Sequence, residues 1–487
     1  MKTKYLIIVL LVGLLSACTD DFNDFNTDTK NPAEVSGESL FSYAQKELVD
    51  QISSTNVNLN VWKLFAQYWT ETTYTDEANY DIVNRTIADN AFTIYYRNVL
   101  KHLDEAATLI AQNELVGLET QASIDNKLAI IEIMKVYAYH NLVNIFGDVP
   151  YSQALDINNI SPAYDDDFAI YKDLLARIDA AVGQMDANTH SFGSADLIYG
   201  GDVAAWKTFA QSLKLKIAIN LADYDEGIAK ANAEDAVAAG VFTSTEDGAY
   251  LAYESSIPNT NPLHEDLVLS GRKDFVAANT IIDLMNGLND PRMDNFFTYQ
   301  VDTSDNGIDD PVWLGGAYGY SSSYSGHTHI NPVIEEATFP GILMTYSEVQ
   351  FYIAEAAART WSVGQTAKEA YNEAIKASIL WWGGTEAEAD AYITTVDYDS
   401  YADWREAIGT QSYIAFYTRG FVAYTQIRRM DYPAMNIPPS GRTADGTLPM
   451  RFTYPIEEQT LNADNYYAAA EAIGGDDMLT KLFWDVY

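Results

Sequence analysis

Val349-Gln350-Phe351-Tyr352-Ile353-Ala354-Glu355-Ala356-Ala357, followed after a turn containing Gly364 by Ala367-Lys368-Glu369-Ala370-Tyr371-Asn372-Glu373-Ala374-Ile375-Lys376-Ala377-Ser378-Ile379, decides the fold. Val349, Ile353, Ala356 and Ala357 recur at helical spacing, as do Tyr371, Ala374, Ile375 and Ile379, so each stretch predicts a helix with one apolar face. The alanines on those faces let two helices approach closely, as in a tetratricopeptide-like hairpin. Outward from this pair the spacing repeats: at Phe41, Ala44, Leu48 and Ile52; at Leu128, Ile131, Met134, Ala138, Leu142 and Ile145; at Tyr171, Leu174, Leu175 and Ile178; and at Trp206, Ala210, Leu213, Ile217 and Leu221. The pattern predicts an all-α fold. No strict repeat of about 34 residues runs along the chain, so degenerate helical hairpins and an ordinary helical bundle both fit it.

Two stretches break the pattern, residues 243–273 and 302–345, both dense in Gly, Asn, Ser, Pro and Tyr. Loops longer than about 15 residues are uncommon in compact proteins unless they bind something. These two are the expected ligand-binding face.

The N-terminus carries a different message. Lys2 and Lys4, an apolar run from Tyr5 to Leu15, and Leu15-Ser16-Ala17 ahead of Cys18 form a lipoprotein signal, in which the cysteine is acylated and becomes the first residue of the mature protein. The apolar run falls short of the roughly 20 residues a spanning helix needs. The expected organisation is a signal peptide at 1–17, an acidic flexible tether at 18–38 and one α-helical domain at 39–487. Cys18 is the only cysteine, so no disulfide can contribute and packing must hold the fold.

Composition narrows the partners. Against 69 Asp and Glu stand 29 Lys and Arg, a formal charge of −40, and losing Lys2 and Lys4 makes it more negative still. Such a surface repels phosphate backbones and anionic headgroups, which excludes nucleic acid as the expected ligand and favours neutral molecules or cations. With 34 Tyr and 9 Trp the chain has rings to spare for stacking on sugars as well as for packing.

Chemical motifs are sparse. Asp302-Thr303-Ser304-Asp305-Asn306-Gly307-Ile308-Asp309-Asp310 spaces oxygen donors around a glycine as a calcium loop does, but the position of the closing Glu is Trp313. Calcium is thus a possible ligand there, with a polar turn as the alternative; no other cofactor is expected. His327-Thr328-His329 lacks the third ligand that zinc needs. Gly319-Tyr320-Ser321-Ser322-Ser323 lacks the second glycine of a nucleophile elbow. No catalytic residue is assigned, although paired carboxylates for glycoside hydrolysis cannot be identified by counting.

Four separated blocks resemble the SusD/RagB family of Bacteroidota outer-membrane lipoproteins, in its SusD-like subgroup. They are the Cys18 signal with its acidic sequel, Phe146-Gly147-Asp148-Val149-Pro150-Tyr151, the stretch from Leu343 to Ala356, and Arg451-Phe452-Thr453-Tyr454-Pro455 with Glu458, Asn462 and Asn465. Gln67-Tyr68-Trp69 to Asp81 and Asn289-Asp290-Pro291-Arg292 extend the likeness over nearly all of the mature chain. The resemblance implies tetratricopeptide-like hairpins with irregular loops as a binding face. It also implies a non-enzymatic role: capturing glycans, less often peptides, and delivering them to a SusC-like TonB-dependent transporter in polysaccharide utilisation. The segment Thr19 to Asp24 resembles the export signal that places such lipoproteins on the cell exterior.

The blocks of the resemblance are read as scaffold: Asp148 and Pro150 ending a helix, Glu355 bonding within its hairpin, Arg451 and Tyr454-Pro455 pinning the C-terminal segment. Tyr74-Thr75-Asp76-Glu77 and Tyr80-Asp81 either border the ligand face or brace it. A sugar is held by an aromatic platform with a few amides and charged groups aimed at its hydroxyls. The candidate contacts are therefore Trp313, Tyr318, Tyr320 and Tyr324 in the second loop, with Asn261, Arg272 and Asp274 in the first. Capture of basic peptides and a surface glycoside hydrolase are the competing readings.

Overall fold

A computed structural model describes residues 35–298 and 312–487, with the backbone alone at 300–302 and 310–311. The expected signal peptide, Cys18 and the expected tether up to residue 34 lie outside the described residues, as do 303–309 of the calcium-type loop. Ser36 caps α1 (Gly37–Ser53), the first helix among the described residues, by accepting the N–H of Ser39.

Helices dominate and meet as antiparallel neighbours. After the short strand β1 (Trp69–Glu71) comes a helical run whose last part is α2 (Lys101–Ile110), packed on α1. Three hairpins pair α3 (Gln121–Phe146) with α4 (Asp167–Gln184), α5 (Val203–Asn220) with α6 (Glu226–Ala239), and, beyond strand β2 (Phe275–Ala277), α7 (Tyr346–Ala358) with α8 (Ala367–Trp381). A fourth joins α9 (Trp404–Ala415) to α10 (Gly420–Met430). The strands among the described residues pair only two by two, with no closed sheet. The hairpin expectation therefore holds over the plain bundle.

The sequence explains where these helices start and how they meet. Thr366 and Glu369 form a reciprocal capping box at the start of α8, and Thr120 with Ser123 does the same for α3. Ala354, Ala356, Ala370 and Ala374 are fully buried, so the α7/α8 crossing is set by methyl groups. At the end of α3, Gly147 turns the chain with φ +84°, a conformation that favours glycine, and a Cβ there would stand 3.3 Å from Leu482.

Buried ion pairs tie one hairpin to the next. Glu348 in α7 meets Lys216 of α5 at 3.0 Å and Arg419, just ahead of α10, at 2.5 Å. Burial raises the Glu348 carboxyl pKa, but Arg419 and Lys216 outweigh it and hold the group below its ordinary value. Glu355 bonds Arg359, which follows the end of α7, at 3.0 Å and also Arg429 of α10 at 2.6 Å, so it links two hairpins rather than bracing one alone. Arg451 donates to the Phe146 carbonyl at 2.9 Å and pairs with Asp476 at 2.8 Å, which fastens the C-terminal segment to the end of α3.

Candidate ligand-binding face

The two irregular stretches are far apart in sequence, and β1 brings them together. β1 runs antiparallel to β2 with Trp69 opposite Ala277 and Glu71 opposite Phe275. The ladder continues at Thr72, whose N–H donates to the Asp274 carbonyl at 2.8 Å and whose hydroxyl donates to the Lys273 carbonyl at 2.7 Å. The second stretch closes on the same strand: Ser322 N–H reaches the Glu71 carbonyl at 3.2 Å and the Ser321 hydroxyl the Thr72 carbonyl at 2.5 Å. A third layer joins through Asn79, which donates to the Gly319 carbonyl at 2.8 Å and accepts the N–H of Ser440 at 2.9 Å. Gly319 has φ +77°, and a Cβ there would come within 2.7 Å of Pro438.

On this braced rim Tyr320 is 56% exposed and Tyr74, with φ +52°, is 71% exposed. Arg272 pairs with Asp274, both carried by the turn that enters β2, and Arg272 is within electrostatic reach of Tyr74. Tyr324 is half-buried, stacked on His329 at 3.8 Å between ring centroids, with Lys273 Nζ 5.1 Å from its ring. The result is a rim that presents ring faces beside hydrogen-bonding groups of both signs.

Other expected contacts fall elsewhere. Tyr318 is 2% exposed beside the Tyr80 ring, so it packs under the loop and offers no open ring face. Asn261, 1% exposed, accepts the N–H of Leu263 and donates to the Phe339 carbonyl at 2.7 Å, capping a short helix in the interior. Both side chains are engaged in the scaffold, and neither stands on the rim. Trp313 is half-buried against the core. The imidazoles of His327 and His329 bond the Ser323 and Tyr324 carbonyls, so they shape the loop that carries Tyr324. Lys273 and His329 lie in the two expected loops but are not among the candidate contacts; the stacking of Tyr324 brings them in.

Beneath the rim lie two buried carboxyls. Glu71, 4% exposed, accepts the Ala78 N–H at 2.9 Å, and Glu77, 1% exposed, pairs with Arg85. Burial first, then the neighbouring Glu77 and Asp76, raise the Glu71 carboxyl to about 9. The pair faces inward, which makes it a brace for the 72–81 turn rather than an acid and base for glycoside hydrolysis. Among the described residues one group of carboxylates is close enough to share a metal, Asp148, Asp166 and Asp167. It sits at the start of α4, where Asp148 accepts the N–H of Asp167 at 2.9 Å and Asp166 caps the helix. The donor set is a helix cap, and nothing further is assigned to it.

Comparison with known proteins agrees with this architecture. Residues 29–455 match the SusD-like family model described as starch-binding and associating with the outer membrane. Among solved structures, a chitin-binding protein aligns with a TM-score of 0.80 at 25% identity, covering 93% of this chain and 100% of its own. A chitin-binding SusD homologue from Flavobacterium johnsoniae aligns at 0.76 with 24% identity over 92% of this chain and 97% of its own. A SusD homologue from Bacteroides thetaiotaomicron VPI-5482 aligns at 0.76 with 22% identity over 93% and 100%. No curated protein matches. No helix among the described residues is long and apolar enough to cross a membrane. Matched over most of its length and sharing the helical-hairpin fold, the chain belongs to the SusD-like family of starch-binding proteins associated with the outer membrane.

Proposed function

We propose that this chain is a lipoprotein, anchored through acylated Cys18 on the exterior of the outer membrane, that captures a neutral oligo- or polysaccharide and delivers it to a SusC-like TonB-dependent transporter. The observation that carries the reading is the rim itself: Tyr74 and Tyr320 stand exposed beside Arg272 and Asp274 on loops bolted to one ladder. Open rings stack on the flat faces of sugars, and a mixed-sign set of donors and acceptors suits hydroxyls, which both give and take hydrogen bonds. Tyr324 and Trp313 extend the surface on the same loop. The family supports a glycan ligand, and the chitin-binding relative makes chitin fragments one of the first probes.

Titration calorimetry of the protein without its first 18 residues, against neutral glucans, mannans, fructans and chitin fragments with peptides alongside, tests the reading. Saturable heat with a neutral glycan, weakened in Tyr320→Ala and unchanged by a calcium chelator, is the expected result. Binding of peptides with silence across every glycan refutes it in favour of peptide uptake. Release of shorter sugars on incubation refutes binding without turnover. Co-purification with a TonB-dependent barrel from the native membrane tests the delivery step.

A further inference from the structure

A third chain segment, residues 436–442, is fastened to the rim from the side opposite β2. The peptide joining Glu71 and Thr72 points its N–H at β2, where it donates to the Asp274 carbonyl at 2.8 Å, so its carbonyl faces the other way and takes the Ser322 N–H at 3.2 Å. Beyond residues 319–322 comes the third segment, since a Cβ on Gly319 would stand 2.7 Å from the Pro438 side chain. Asn79 clamps this edge: its amide donates to the Gly319 carbonyl at 2.8 Å and accepts the Ser440 N–H at 2.9 Å, and its backbone carbonyl accepts the Arg442 N–H at 2.9 Å. Buried Gln67 holds the start of the segment by accepting the Asn436 N–H at 2.9 Å and donating to the Asn436 carbonyl at 2.8 Å. Side by side, the order is 272–274, 72–74, 319–322 and 438–442.

Arg442 is the charged group this wall presents. Its side chain is 59% exposed and pairs with Asp81 at 3.2 Å. The Asp81 carboxylate is covered and fixed, accepting the N–H groups of Val83 and Asn84 at 3.1 Å each and the Asn84 amide at 2.7 Å, so it holds the guanidinium from beneath. Arg272 on Asp274, at the opposite edge of the rim, has the same form: an outward arginine, again 59% exposed, on a less exposed carboxylate.

Outward arginines are scarce in this chain. Of its twelve, Arg97, Arg272 and Arg442 are the exposed ones, while the others are buried or half-buried, as Arg429 and Arg451 are in the scaffold. Two of the three therefore flank the open rings of Tyr74 and Tyr320. A guanidinium has five N–H donors, so one carboxylate leaves some for a ligand, and with its charge balanced the group suits hydroxyls. Three steps between neighbouring chains, each roughly 4.8 Å, set the two pairs on the order of 15 Å apart. That is more than one sugar ring spans.

We propose that Arg442 is a ligand contact of the rim, that the Arg442–Asp81 and Arg272–Asp274 pairs are the two ends of one extended site, and that the site takes several consecutive sugars of a neutral chain. The proposal rests on the glycan reading and adds to it a residue and a ligand length. The test is titration calorimetry of the intact soluble protein with chitotetraose, maltotetraose and mannotetraose, each beside its disaccharide. A tetrasaccharide should bind roughly tenfold or more tightly than its disaccharide. Arg442→Ala should weaken the tetrasaccharide roughly tenfold with an unchanged melting temperature, because an exposed ion pair contributes little to stability. Arg442→Gln, which keeps most of the stem and loses the charged fork, should show the same weakening and serves in its place if Arg442→Ala melts early. Tetrasaccharide binding that Tyr320→Ala weakens and neither Arg442 variant does overturns the proposal and leaves the glycan reading standing. So does equal affinity for a tetrasaccharide and its disaccharide. Silence of the wild type towards every sugar removes the glycan reading and this proposal with it.

Discussion

Replacing Glu71 by glutamine is expected to stabilise this protein at neutral pH, and the size of the gain follows from the carboxyl pair beneath the rim. Glu71 has an ordinary value of 4.5 in the unfolded chain and about 9 in the folded one, because burial and the adjacent Glu77 and Asp76 disfavour its charge. A native pKa above the unfolded one means that, between those values, the unfolded chain releases a proton that the native state retains. Stability from this group is therefore intact below the unfolded value and falls as pH rises through the window, by about 1.4 kcal/mol per unit. At pH 7, some 2.5 units into the window, the loss is about 3 kcal/mol. Glutamine reproduces the protonated form, with its carbonyl accepting the Ala78 N–H as Glu71 does at 2.9 Å and its amide donating towards Glu77. Urea unfolding of Glu71→Gln and wild type, from pH 4 to the alkaline side of the window, should give equal stabilities at the acid end, a gap of about 3 kcal/mol at pH 7, and a gap that stops widening above the native pKa. A gap independent of pH, or a less stable variant at pH 7, would refute the reasoning. Glu77→Gln is the control: it strips Arg85 of its partner and should lower stability instead.

Other consequences are as specific. Tyr320→Ala should weaken glycan binding roughly tenfold by calorimetry with unchanged thermal stability, since its ring is exposed, whereas Tyr318→Ala should cost about 3–5 kcal/mol of stability in urea unfolding. Glu348→Ala leaves Lys216 and Arg419 buried without their counter-charge and should cost about 3–5 kcal/mol by the same measurement. Ala374→Leu forces extra carbons into the α7/α8 crossing and should cost about 1–3 kcal/mol, while Ala367→Leu, at the half-buried first position of the same helix, should cost less. His140 is buried and held well below its ordinary value of 6.5 by burial and by nearby Lys216, so the unfolded chain takes up a proton in acid that the native state refuses. Stability should therefore fall as pH drops below 6.5, and less steeply in His140→Gln.

The helices were legible because their information is local. Phe41 to Ile52, Leu128 to Ile145 and the α7/α8 pair announce themselves by apolar spacing, and their caps at Thr120 and Thr366 are read from neighbouring residues. Site residues were less legible. Tyr320 and Tyr318 stand two positions apart in one Gly- and Tyr-rich loop, yet one is 56% exposed and the other 2%. A loop has no period from which to predict which ring turns outward. Asn261 reads as a polar loop residue and is in fact a buried helix cap.

By itself, then, the sequence determined the all-α class, the acidic composition and the two long irregular stretches between helices, while the choice of hairpins over a plain bundle was left to the structure, because periodicity, charge and loop composition need no knowledge of distant residues. Only the tertiary structure decided that β1 gathers residues near 72, 274 and 321 onto one rim, and that Glu355 reaches α10 as well as Arg359 beside it in sequence. Those outcomes depend on contacts between residues dozens to hundreds of positions apart, and such contacts are set by how whole helices pack, a quantity no local stretch of chain encodes.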